Sequence, residues 1–131
     1  MYKYYQPNKK DLKDKYGDCT IRALSKALNY TWLEAYDIVQ PFEREQQCPF
    51  PCLTLDLYKE FYKRIGFKYN SIKVPKGSKR PTVESFAKKN KKGTYICRVA
   101  NHFVTIVDGN WYDTWDCGYC SLYGYYTKES D

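Results

Sequence analysis

Cys19, His102 and Asp113 follow one another along a chain of 131 residues, and each stands where its chemistry has a use. Cys19 opens the run Cys19-Thr20-Ile21-Arg22-Ala23-Leu24, in which Ile21, Leu24 and Leu28, with Ala23 and Ala27, fall at helical spacing. A thiol attacks an acyl carbon as its thiolate, and a helix N-terminus and a neighbouring imidazolium both favour that form. The free backbone amides of the same turn can donate to the oxyanion of a tetrahedral intermediate. His102, the only histidine, opens the segment His102-Phe103-Val104-Thr105-Ile106-Val107-Asp108-Gly109 and is the candidate base. Such a base needs a third group to fix its tautomer. Asp108-Gly109 between apolar runs signals a tight hairpin. The strand starting at Trp111 then runs back beside 103–107 and carries Asp113 toward the His102 end. Asp113 is the expected orienting acid and Asp116 the reserve. The implied chemistry is nucleophilic attack through a thioester. A lone cysteine or histidine is usually structural, so it is their joint order that carries this reading.

The elements that must bring these residues together are legible in outline. Residues 1–17 are polar and turn-rich, with Pro7 and Gly17, and read as an N-terminal arm. Asp18 is the expected N-cap of the Cys19 helix and Asn29 its stop. Thr31-Trp32-Leu33-Glu34 fits a capping box that opens a helix reaching about Val39, which Pro41 is expected to end. Cys48-Pro49-Phe50-Pro51-Cys52 reads as a loop, because two prolines so close oppose both helix and central strand. Thr54 caps a third helix that ends at Gly66, and Thr82 a fourth that stops near Asn90. Strands are expected over 67–74, 95–99, 103–107, 111–114 and 122–126. Helices first and strands second predict one α+β domain over 1–131, its N-terminal helices packed on a C-terminal antiparallel sheet.

Composition narrows the function classes. The net charge is +7, and Lys76, Lys79, Arg80, Lys88, Lys89, Lys91 and Lys92 concentrate it. That face is either simply solvated or attracts an acidic partner or nucleic acid. No apolar run nears the roughly 20 residues of a membrane helix, and the first ten residues lack the apolar centre of a secretory signal. The expectation is a cytoplasmic protein without membrane contact, its six cysteines reduced. Cys48 with Cys52, and Cys117 with Cys120, have spacings that would suit a structural zinc; free thiols or a loop disulfide are the other readings. Cys97 lies in a strand and reads as core. No catalytic cofactor is expected. Trp111, Tyr112 and Trp115 are candidates for a substrate groove or for the core.

The run from Gly17-Asp18-Cys19 to Leu28, the strand Gly93-Thr94-Tyr95-Ile96, the His102 segment and Tyr112-Asp113-Thr114-Trp115-Asp116 together resemble the small papain-like cysteine peptidases. In layout they are similar to the bacteriocin-processing and transglutaminase-like branches, and to uncharacterised small proteins of bacteria and phages. The likeness covers residues 5–126. It implies a papain-like fold with Cys19 as nucleophile, His102 as base and Asp113 as orienter. It further implies a protein or peptide substrate met in the cytoplasm, the host's if the chain is phage-encoded. The family pattern places an oxyanion-donating Gln shortly before the cysteine, where this chain has Lys13. Gln6, Asn8 or backbone amides near Cys19 stand as substitutes. Two other classes fit the same residues: a deamidase or acyltransferase acting on a host protein, and an inactive papain-like binding module, such as a phage-encoded inhibitor, working through its basic face.

Overall fold

A computed structural model describes residues 1–8 and 18–128, so Lys13 and much of the arm lie outside the described residues. In chain order the elements are β1 (Tyr2–Tyr4), α1 (Cys19–Leu28), α2 (Trp32–Gln46), α3 (Leu55–Arg64), β2 (Phe67–Ser71), α4 (Val83–Lys89), β3 (Thr94–Val99), β4 (His102–Val107), β5 (Asn110–Asp113) and β6 (Leu122–Lys128). The fold is α+β, with a six-stranded sheet in the order β1-β5-β4-β3-β6-β2. Among the described residues, no helix is long and apolar enough to cross a membrane.

Period-two alternation along the strands divides the core between the two faces of the sheet. Ile96 and Phe103 pack with Ile21, Leu24, Phe42 and Phe61 of α1 to α3. Their neighbours Cys97 and Val104 pack with Val83 and Ala87 of α4. The sheet is therefore covered on both faces, with three helices on one and the short α4 on the other.

The sheet is mixed, not purely antiparallel as expected, because the arm contributes a strand. β1 runs parallel to β5, pairing Tyr2 with Trp111 and Tyr4 with Asp113. Tyr2 packs on the α4-side core, and the Tyr5 amide donates to the Asp113 carbonyl at 2.8 Å. A three-residue strand has no period of its own long enough to read, and only its partner reveals it.

Two proline expectations are corrected. The helix opened by the Thr31–Glu34 capping box does not stop near Val39 but runs through Pro41 to Gln46. An interior proline costs roughly 3 kcal/mol. Here packing on both sides of it offsets that cost. Val39 and Phe42 are buried, Phe42 meets Phe61 edge-on at 5.4 Å, and Glu43 accepts from the Phe50 amide at 2.6 Å. Within the proline loop, Phe50–Cys52 forms one 3-10 turn, with Pro51 in its first positions, where no N–H is needed. β2 also stops at Ser71, short of the expected 74, although Ile72 still donates to the Tyr123 carbonyl at 3.1 Å.

Two turns set the strand that bears His102. Asn101, at φ 53°, closes the connection between β3 and β4, so that Val99 pairs with His102. Asp108 (φ 49°) and Gly109 (φ 82°) form the left-handed pair that a two-residue hairpin requires. The register Thr105–Tyr112, Ile106–Trp111 and Val107–Asn110 then brings Asp113 back toward His102. Across this strand lies α1, held by the buried Thr105 hydroxyl, which donates to the Ala23 carbonyl at 2.6 Å. Thr105→Val keeps the volume and deletes that bond. The expected cost is about 1 kcal/mol, seen as a lower urea midpoint; an unchanged midpoint would show that the bond does not hold α1 to β4.

Candidate active site

Cys19 is the first residue of the ten-residue helix α1 and so sits at its positive end. His102 begins β4, and Asp113 ends β5 at 1% exposure. The fold brings the three together. His102 Nε2 bonds to Asp113 Oδ2, which leaves Nδ1 as the ring nitrogen available to Cys19. Burial opposes a charge on the imidazole. The hydrogen bond to Asp113, the neighbouring Cys19 sulfur and the charge of the Asp113 carboxylate outweigh burial and lift its pKa to about 9. Burial also opposes the Asp113 carboxylate, but His102, the Thr114 amide and Arg22 together hold its pKa below the usual value. Imidazolium and carboxylate therefore coexist at neutral pH.

Asp113 is the most heavily partnered group of the site. Oδ2 accepts from His102 and from the Cys117 thiol at 3.3 Å. Oδ1 accepts from the Thr114 amide at 2.7 Å and from Arg22 Nη2 at 3.1 Å. Arg22 also reaches Asp18 Oδ1 at 2.5 Å, and Asp18 Oδ2 accepts from Trp32 Nε1 at 3.0 Å. The expectation that the Asp18 side chain caps α1 is thereby corrected. Asp18 does occupy the N-cap position, but its carboxylate is drawn to the guanidinium and the indole. Burial, and then the charge of Asp113, push the Cys117 thiol far up, so it remains a neutral donor.

Arg22 is the site residue that sequence reasoning missed, and Cys117, read there only as a possible zinc ligand, stands instead beside Asp113. For Arg22 a signal existed. It lies three residues after Cys19, hence on the same helix face, within a stretch from Thr20 to Ser25 that is wholly buried. An arginine in such a stretch needs an acid. The spacing of Cys117 to Cys120 gave no hint of its contact with Asp113, which comes from a turn and not from a regular element.

The other candidates fall elsewhere. Asp116 accepts from Trp111 Nε1 at 2.8 Å and from the Gly118 amide at 3.0 Å, so it orders its own turn and not the imidazole. Trp111 is core, Tyr112 stands under Lys26, and Trp115 lies beside His102 with ring centroids 5.0 Å apart. Gln6 Oε1 accepts from the Asn8 amide at 2.9 Å, and neither residue lines the cleft into which Cys19 and His102 open. Donors beside Cys19 are instead the first-turn amides of α1, which have no intrahelical partner, and the Thr20 hydroxyl, buried and unpaired. The four cysteines of the zinc expectation are not gathered. Cys48 packs on the α1-side core and Cys117 in the α4-side core, on opposite faces of the sheet. Among the described residues, the group close enough to grip a metal is His102, Asp113 and Cys117. Their closeness is already accounted for by two hydrogen bonds to Asp113 Oδ2. Arg80, counted with the basic face, donates to the carbonyls of Ile72 and Leu122 at 3.2 Å each and ties β6 to the loop after β2.

The cleft has a volume of about 360 Å³, with Leu53, Tyr58 and Phe103 among its walls. No protein-family model matches the chain, and neither a curated protein nor a solved structure does.

Arg22→Met strands the buried Asp113 carboxylate and the half-buried Asp18 and is expected to cost about 3 kcal/mol in urea unfolding. A loss under about 1 kcal/mol, as for an exposed ion pair, would contradict the buried network. The His102–Asp113 couple also gives stability a defined pH window. A raised His102 stabilises fully below its ordinary 6.5, and that contribution is lost as pH climbs through about 9. A lowered Asp113 stabilises fully above its ordinary 3.8, and that contribution is lost in stronger acid. Thermal unfolding of wild type against Asp113→Asn should show the largest gap between those two ordinary values, closing on both sides.

Proposed function

We propose that this chain is a papain-like cysteine hydrolase that cleaves an amide, peptide or isopeptide bond through Cys19. The observation that carries the reading is the meeting of a helix-terminal thiol with a buried, charged His102–Asp113 couple at one cleft. A Cys-bearing helix laid across antiparallel strands that supply the histidine and the acid also supports the papain-like comparison.

The reaction runs in two halves. The Cys19 thiolate attacks the carbonyl carbon, forming a C–S bond, and the oxyanion is received by amides of the first turn of α1. The His102 imidazolium gives its proton to the leaving nitrogen, the C–N bond breaks, and a thioester remains. His102, now neutral, takes a proton from water as the water attacks the thioester carbon. The C–S bond then breaks, releasing the acid and returning the thiolate. Asp113 keeps the ring in one orientation and stabilises its charged form throughout. Deamidation or acyl transfer would use the same residues with a different leaving group or acceptor.

Site-resolved alkylation with iodoacetamide at neutral pH tests the proposal before any substrate is known. Cys19 is expected to react at least about tenfold faster than the exposed Cys52, and His102→Ala to remove that advantage. Equal rates at the two thiols in the wild type would sink the hydrolase reading.

A further inference from the structure

Among the described residues, Arg98 is the cation of the cleft that the reaction above leaves unused. In the ladder between β3 and β4 it stands directly opposite Phe103. Paired residues project from the same face of a sheet. Phe103 faces Tyr58, with ring centroids 5.0 Å apart, and Phe103, Tyr58 and Arg98 line the same cleft as Cys19 and His102. The guanidinium thus leaves the sheet on the side where the nucleophile opens.

Of the other arginines, the exposed Arg44 faces solvent, and the rest are satisfied by the protein itself. Arg22 and Arg64 hold carboxylates, and Arg80 holds two carbonyls. Among the described residues Arg98 makes no ion pair or side-chain hydrogen bond, and its Nε is buried without a partner. Its one favourable contact is with the Tyr123 ring, 5.6 Å from the guanidinium carbon. A buried, unpaired donor of a charged group is costly unless something else completes it. Among the described residues no Asp or Glu lines the cleft, and the Tyr58 hydroxyl is committed to the Phe50 carbonyl at 2.6 Å. Pro51, Leu53 and Leu55 give the cleft an apolar wall, and Thr20 and Asn101 are its uncharged polar residues. The cleft therefore offers an apolar wall and, in Arg98, a planar cation that no protein carboxylate or carbonyl occupies among the described residues, the group that takes a carboxylate through two parallel N–H bonds.

We propose that Arg98 is a specificity residue that binds a carboxylate of the substrate, so that the acyl compounds cleaved here carry an acidic group close to the bond attacked. That group is either an Asp or Glu side chain or a free C-terminal carboxylate. The proposal rests on Cys19 being the nucleophile, and the test separates the two claims.

Cys19 alkylation by iodoacetamide is followed while mixed-sequence tetrapeptides compete for the cleft. One pair of libraries carries Glu or Gln at a fixed position; a second pair ends in a free carboxylate or an amide. In the wild type, the acidic member of one pair should protect Cys19 at about tenfold lower concentration than its neutral counterpart, and the pair that shows this names the source of the carboxylate. Arg98→Met should abolish the difference, and Arg98→Lys, which keeps the charge without the planar fork, should retain part of it. Fast Cys19 labelling with equal protection by acidic and neutral libraries, or an undiminished preference in Arg98→Met, overturns the carboxylate assignment and leaves the hydrolase reading standing. Cys19 labelling no faster than Cys52 overturns both.

Discussion

The need to keep one buried carboxylate charged organises this structure. Asp113 is almost wholly removed from water, where an ionised carboxyl without partners would take up a proton. Four donors prevent that: His102, Arg22, Cys117 and the Thr114 amide. Each comes from a different part of the chain. Arg22 ties the acid to α1, His102 to the start of β4, and Cys117 to the turn before β6. The arm adds to the same point from the backbone side, where the Tyr2 hydroxyl and the Tyr5 amide donate to the Asp113 carbonyl at 3.1 and 2.8 Å. Because Arg22 and Cys19 share a helix, the ion pair that stabilises Asp113 also sets where the thiol stands.

The consequence is a site whose electrostatics and architecture are the same set of contacts. Asp113 raises the proton affinity of His102, and the imidazolium so maintained faces a thiol at the positive end of a helix. Arg22 has a second duty: through Asp18 it reaches the Trp32 indole at the start of α2 and so holds two helices in register with the sheet. Energy that a simpler core would obtain from apolar packing is here placed in a polar network that must be complete to be favourable.

How much of this the sequence discloses depends on the range of the interaction. The helices starting at Cys19, Trp32, Leu55 and Val83 follow from local apolar periodicity and from threonine caps. The placement of Asp113 near His102 follows from a two-residue turn and a period of two, both local rules. Pro41 misleads because the cost of a lost helical bond is local, while the compensation comes from Phe61 and Phe50, both outside the helix. The parallel pairing of β1 with β5 and the bond between Arg22 and Asp113 join residues about a hundred positions apart; nothing local marks the first, and Arg22, on the apolar helix face, signals that it needs an acid but not which one. Cys48 and Cys117, from the two cysteine pairs whose spacing suits a metal, lie on opposite faces of the sheet, a separation that spacing does not encode.

Since His102 is the only histidine, its imidazole resonances need no assignment, and their NMR titration tests the central claim directly. The account predicts a midpoint near 9 in the wild type and a clear fall in Asp113→Asn, where burial opposes the charge and the carboxylate no longer counters it. A wild-type midpoint at or below 6.5, unmoved by that substitution, would contradict it.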